Sequence, residues 1–212
     1  MSHGRVESPT CRSAADARAV RGVARLTWLE RYGQRVRLEK ARPYIPAGAR
    51  VLDIGCCDGA LFRSLNGTIS GGVGIDPDAP KSDDGKFRFV KGLYPDDYEH
   101  DGEPFDVIVG LAVLEHLTPK QQNAMAVACF RHLRPKGRLV MTVPSRAVDP
   151  ILHVIQQVGL SDRDTMHLEE HHGFHAADTG PLFEKAGFTL TARRHFELFL
   201  NNLFVFTKPA AA

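Results

Sequence analysis

Short apolar runs alternate with amphipathic stretches through the middle of the chain. Arg50–Ile54, Gly72–Ile75, Phe87–Val90, Phe105–Val109 and Arg138–Val143 are each a few residues long and largely apolar, the length of a buried strand rather than a helix. Between them, Ala60–Leu65 reads as a helix, and Pro119–Leu133 as a longer one ended by Pro135 and Gly137. Strands alternating with helices predict a parallel sheet with helices on both faces. The two ends of the chain differ from this middle. Ala14–Arg42 carries Val20, Val23, Leu26, Leu29, Val36 and Leu38 at helical spacing and predicts one or two helices, stopped by Pro43 and Pro46; residues 1–13 read as a disordered tail. Ile151–Leu160 is an apolar helix with Ile151, Leu152, Ile155 and Val158 on one face, either a lid or core packing. Thr179–Ala186 is a helix closed by Gly187. Phe188–Glu197 and Leu200–Thr207 are strands around a short turn placed near Asn201 and Asn202; their closeness demands an antiparallel hairpin. The expected fold is therefore α/β, a doubly wound, mostly parallel seven-stranded sheet with a C-terminal antiparallel hairpin and an N-terminal helical extension. One domain spans 14–212, with helices over 14–44 and two halves meeting near residue 145.

The length of 212 residues and 43% hydrophobic content support one sizeable core. No stretch approaches the roughly 18 apolar residues of a membrane span. Met1–Ala19 lacks the apolar stretch of a secretory signal, and Ala14, Arg18 and Arg21 read as a surface helix rather than a transit peptide. The four cysteines, Cys11, Cys56, Cys57 and Cys129, show no CxxC spacing and read as free thiols in a reduced, cytoplasmic setting. Residues 1–50 hold 11 Lys/Arg against 4 Asp/Glu, while the rest holds 16 against 21. That excess is a solvated basic helix or a basic lid near an acidic substrate. No aromatic-interleaved basic motif accompanies it, so a nucleic-acid partner is not expected.

The segment Val51-Leu52-Asp53-Ile54-Gly55-Cys56-Cys57-Asp58-Gly59 carries the strongest chemical signal. An apolar strand runs into a tight turn and then a helix, with Gly55 allowing the turn and Gly59 a close backbone approach. Strand Val73-Gly74-Ile75 ends at Asp76, 17 residues after Gly59, where a carboxylate can accept both hydroxyls of a ribose. A dinucleotide loop wants Gly-x-Gly-x-x-Gly, but Cys57 and Ala60 stand at its second and third glycines. Asp53 and Asp58 add two carboxylates, which oppose a pyrophosphate and favour a nucleoside bearing sulfonium and ammonium groups.

On these residues the chain resembles the class I S-adenosylmethionine-dependent methyltransferases, in the group of the ubiquinone and menaquinone enzymes. Asp53–Gly59 is similar to the family's acidic-x-Gly-x-Gly-x-Gly loop, and Asp76 matches its ribose acid. Phe105-Asp106-Val107-Ile108 resembles its fourth strand, followed by Leu114-Glu115-His116-Leu117. Leu133-Arg134-Pro135-Lys136-Gly137-Arg138-Leu139 resembles its turn into strand five, and Glu184-Lys185-Ala186-Gly187-Phe188 its late helix-to-strand turn. The resemblance covers roughly residues 45–207. It implies S-adenosylmethionine as cofactor, with S-adenosylhomocysteine as product, held by Asp53, Gly55, Cys56, Cys57, Gly59, Asp76, Pro77, Gly92, Leu93, Gly110 and Leu111. Cys57 departs from the middle glycine. Leu93 stands where many members carry an acid for the adenine amino group, so backbone and apolar contacts are expected there instead.

Methyl transfer needs in-line positioning and exclusion of water, and a base only where the acceptor must lose a proton. His116, just past strand four, is one candidate; capping or packing is the alternative. His171 and His172 are the others, in His167-Leu168-Glu169-Glu170-His171-His172-Gly173-Phe174-His175, which is otherwise an ordinary loop. A metal held by Glu115, His116 and a later histidine resembles the metal-dependent RNA 2′-O-methyltransferases. Ala112 stands at the first Glu of that pattern, and no metal is expected. Trp28 and Tyr32, four apart, either close over the cofactor or pack in the core. The Asn/Asp-Pro-Pro-aromatic motif of base amino-methyltransferases is replaced by Gly110-Leu111-Ala112-Val113, which points to an oxygen or carbon acceptor, or a non-base nitrogen, on a small molecule. A noncatalytic cofactor-binding protein and an NAD(P)-dependent oxidoreductase are the alternatives. The sequence leaves the oligomeric state open.

Overall fold

A computed structural model describes residues 31–79, 85–145, 174–197 and 200–210. The predicted tail, the first part of the N-terminal helices with Trp28, the helix at Ile151–Leu160, and His171 and His172 lie outside the described residues. Helix α1 occupies residues 31–41 and passes into a 3-10 turn at Arg42–Tyr44, where Pro43 stands. There follow β1 (Arg50–Ile54), α2 (Ala60–Leu65), β2 (Gly71–Asp76), β3 (Phe87–Lys91) and β4 (Phe105–Leu111). A 3-10 turn at Leu114–His116 leads to α3 (Pro119–His132) and β5 (Leu133–Pro144). The chain ends in α4 (Thr179–Lys185), β6 (Thr189–Phe196) and β7 (Asn201–Thr207).

The seven strands form one sheet in the order β3-β2-β1-β4-β5-β7-β6. The first five are parallel, and β7 runs antiparallel to both β5 and β6, so the expected hairpin is present. The topology reverses between β1 and β4, with β1 passing outward to β2 and β4 outward to β5. That is where an open α/β sheet leaves a crevice at its carboxyl edge.

Alternation along the strands sorts the core onto two faces. Leu52, Ile54, Val73, Ile75 and Ile108 pack with Met125, Cys129 and Phe183 under α3 and α4. Val51, Val107, Val109 and Val140 pack with Leu61, Phe62, Leu65 and Ala41 under α2 and α1. Helix α3 starts where its cap dictates. Thr118 accepts from the Gln121 N–H, the Gln121 side chain accepts from the Thr118 N–H, and Pro119 fills the first turn.

Two expectations are corrected. Helix α3 ends at His132, within a residue of the expected Leu133, but β5 begins at once rather than at Arg138, with Lys136 left-handed at φ 63° and a register shift opposite Phe105–Val107. The hairpin turn lies between Glu197 and Leu200, not at Asn201 and Asn202. Those asparagines are buried in β7, where the Asn202 amide donates to the Val143 carbonyl and the Ser145 hydroxyl.

Candidate functional site

A cavity of about 960 Å³ opens at the carboxyl edge, between the ends of β1, β2 and β4 and the face of α1. Both Asp53 and Asp76 line it, as do Gly55, Cys56, Cys57, Pro77, Gly92, Leu93, Leu111 and His116. Gly59 and Gly110 stand behind its wall. A side chain on Gly59 would meet the Phe89 ring at 2.8 Å, and one on Gly110 the Met141 methyl at 2.7 Å.

The loop after β1 is fixed by its own backbone. Gly55 has φ 74°, and a Cβ there would come within 2.6 Å of Val113. The Gly55 and Cys56 amides both donate to the Ile75 carbonyl, at 2.9 and 3.3 Å. The Asp76 carboxylate accepts from the Cys57 amide at 3.1 Å and the Asp78 amide at 2.7 Å. Loop and ribose acid are thus one bonded unit. Cys57 keeps the left-handed backbone of the glycine it replaces, at φ 45°. The Cys56 thiol is buried against β2, and burial with the nearby Asp53 charge pushes its ionisation well up.

The carboxylates differ in electrostatic state. Asp53 is buried, and burial, with Asp76 and Asp58 adding repulsion, holds its pKa well above the usual range. An ammonium group arriving beside it would relieve both effects. Burial is the largest single influence on Asp58 and raises it, but its 2.5 Å ion pair with Arg63, a 3.3 Å bond from Gln34 and the Ala60 amide together hold it below its ordinary value. Asp58 is therefore largely neutralised by the chain itself. On the β3 side, the Leu93 amide donates to Asp97, and Leu93 offers an exposed apolar surface to the cavity.

The sequence alone does not single out Arg37 or Gln122, and it presents Asn201 only as a turn residue and Glu115 only as a companion of His116. Arg37 on α1 lines the cavity, partly desolvated, within electrostatic reach of Glu115 and Glu197. Burial pushes the Glu115 carboxyl up to about 7, with Arg37 opposing. Asn201, at the start of β7, donates to Glu197 at 2.5 Å. Gln122 steadies the turn that carries Glu115 and His116 by donating to the Leu114 and Leu117 carbonyls. Among the described residues there is no group of three potential metal ligands and no helix long and apolar enough to cross a membrane.

A family model described as a methyltransferase domain matches residues 28–193. A ubiquinone biosynthesis O-methyltransferase of Bradyrhizobium is 33% identical over 107 residues, which cover 47% of this chain and 42% of that protein. The match thus spans less than half the length of that relative. In fold, the chain is similar to the 1,6-didemethyltoxoflavin-N1-methyltransferase of Burkholderia thailandensis, crystallised with its substrate and S-adenosylhomocysteine. That likeness has a TM-score of 0.64 at 19% identity and covers 96% of this chain and 93% of the other. A TehB-like methyltransferase of Corynebacterium glutamicum gives a TM-score of 0.60 at 20% identity, covering 91% and 99%. The family match sets aside the oxidoreductase alternative. A domain match over most of the chain, on a sheet of this order with this loop, means that the chain belongs to the class I S-adenosylmethionine-dependent methyltransferases.

Proposed function

We propose that the chain transfers the methyl group of S-adenosylmethionine to an oxygen or carbon of a small-molecule acceptor by in-line displacement. The observation that carries this reading is that Asp53 and Asp76 open into one cavity, joined by the bonded Gly55–Cys57 turn. The residues present fit the cofactor. The buried Asp53 carboxylate suits the methionine ammonium, and Asp76 suits the ribose hydroxyls. Arg37, which with Arg31 brings cations from α1 to the cavity wall, suits the methionine carboxylate, while Leu93 and Pro77 give adenine an apolar face. When bound, S-adenosylmethionine supplies a methyl carbon activated by the sulfonium. The chain's own task is to hold the acceptor in line and keep water out. Leu111, Ala112, Val113 and His116 line the cavity next to the end of β4, where an acceptor would stand, and His116 is the described histidine placed to meet it. His171 and His172 remain proposed bases on sequence grounds; replacing either with Ala is expected to lower turnover far more than cofactor affinity.

Calorimetry with S-adenosylhomocysteine and with NADH tests the reading. Micromolar binding of the first and none of the second is expected. Binding of NADH alone, or of neither, would overturn it.

A further inference from the structure

The charges that line the cavity are sorted by wall. Its carboxylates, Asp53, Asp58, Asp76 and Asp78, come from the ends of β1 and β2 and the loops that follow them, while its arginines, Arg31 and Arg37, both come from α1. Arg31, Gln34 and Arg37 recur every three residues and share the face of α1 that meets the cavity. The Gln34 amide, between the two arginines, donates to Asp58 and ties that face to the glycine loop.

The arginines of α1 differ in what answers their charge. Arg35 pairs with Glu39 one turn on, away from the cavity. Arg37 is partly desolvated, with Glu115 and Glu197 within electrostatic reach. Arg31 is exposed and forms no ion pair among the described residues. Position separates them further. Ala41, at the far end of α1, is buried with Val51, Val107 and Val140 on the face of the sheet, so the helix climbs from that face to the carboxyl edge. At 1.5 Å per residue, Arg31 stands about 9 Å beyond Arg37 along the axis, on the outermost described turn, at the mouth of the cavity. One carboxylate fills one guanidinium fork. The cofactor has one carboxylate, which suits the deeper Arg37; its sulfonium and ammonium are positive and belong to the acidic wall. Arg31 is left without an anion. A cavity of about 960 Å³ lies at the top of the range for a single small ligand, which leaves room for an acceptor above the cofactor.

We propose that Arg31 binds an anionic group of the methyl acceptor, so that the acceptor is a small molecule carrying a carboxylate or a phosphate monoester. This rests on the methyltransferase reading above and narrows it. The anion docks at the mouth, and the rest of the acceptor reaches inward past Leu111, Ala112 and Val113. A guanidinium suits this task because its planar fork matches the paired oxygens of either anion and stays charged at every working pH. The excess of basic residues before β1 then has a use at one point at least: Arg31 is its part that faces the substrate, and its field draws an anion toward the opening.

The test uses the full chain, S-adenosylmethionine radiolabelled in its methyl group, and the protein-free metabolites of a bacterial lysate, split on an anion exchanger at neutral pH into bound and unbound fractions. Transfer by wild type is expected in the bound fraction. Pretreating that fraction with alkaline phosphatase abolishes transfer where the anion is a phosphate monoester and spares it where it is a carboxylate; either result agrees with the proposal. Arg31→Met keeps the length of the side chain and drops its charge. At limiting acceptor it is expected to lose about 10-fold or more in transfer, to keep S-adenosylhomocysteine affinity within about 3-fold, and to melt as wild type because the site is exposed. Arg31→Lys recovers part of the loss, and added salt slows wild type more than Arg31→Met. Transfer confined to the unbound fraction, an Arg31→Met protein that transfers as wild type, or one that loses S-adenosylhomocysteine affinity as steeply as transfer (a cofactor contact) would overturn the proposal while leaving the methyltransferase reading intact. A wild type that binds no S-adenosylhomocysteine, or binds it and labels neither fraction, overturns both.

Discussion

His132, at the end of α3, is buried among Tyr94, Tyr98 and His100, with its Nδ1 at 2.9 Å from the Tyr94 hydroxyl and its ring centroid 4.2 Å from that of His100. Burial, with repulsion from His100 and Arg131, lowers its pKa from 6.5 to about 4. The unfolded chain thus takes up a proton near pH 6.5 that the folded chain refuses until near pH 4. The stability carried by neutral His132 is complete above the unfolded value and is lost as pH falls through that window. At about 1.36 kcal/mol per pH unit, the loss is about 3 kcal/mol. Glu115 acts in the opposite direction. Its folded value of about 7 exceeds the ordinary 4.5, so the fold gains stability as pH falls from about 7. The two effects nearly cancel in the wild-type curve, so the difference between wild type and His132→Phe is the informative quantity. Phe fills the aromatic cluster without titrating. By urea unfolding, the stability of His132→Phe relative to wild type should rise by about 3 kcal/mol between about pH 7 and pH 4. A difference that stays constant within about 0.5 kcal/mol would refute the reasoning.

Three further outcomes follow from the cavity wall. Asp53→Asn should raise the ligand-free melting temperature, because it removes a buried charge, while weakening S-adenosylhomocysteine about 10-fold or more in calorimetry. Cys57→Gly should relieve about 1 kcal/mol of left-handed strain, raising the melting temperature by about 2–4 °C with cofactor affinity kept. Arg37→Met should weaken S-adenosylhomocysteine about 10-fold yet leave 5′-methylthioadenosine, which lacks the amino-acid portion, unchanged in the same titration.

What could be read from the sequence was local. The β1 strand, the Gly55 turn and the acid ending β2 are set by adjacent residues: apolar runs, glycines where the backbone turns left-handed, and a carboxylate closing a strand. What could not be read depends on distant elements meeting. Arg37 looks like one basic residue among many on a helix between Val36 and Leu38, and only the packing of α1 across the sheet edge turns it inward. Glu115 beside His116 gives no hint of which of the two is sealed in and which stands at the wall. Asn201 and Asn202 resemble a turn because asparagine favours turns. Once the Val143 carbonyl and the Ser145 hydroxyl accept the Asn202 amide, a strand position suits it better. The pattern places the start of β5 too late, at Arg138, because Pro135 and Gly137 look like the end of an element, whereas the strand takes them into an irregular beginning at Leu133.

The Asp76 carboxylate holds two backbone amides before any ligand arrives. A sugar must therefore share oxygens that already anchor the polypeptide, and those anchors fix where the oxygens point. Replacing Asp76 would release Cys57 along with the ribose, so a loss measured there reports scaffold and ligand together. Changes at Asp76 and in the Gly55–Cys57 turn should consequently give effects that do not sum, with the first break disabling much of what the second could remove.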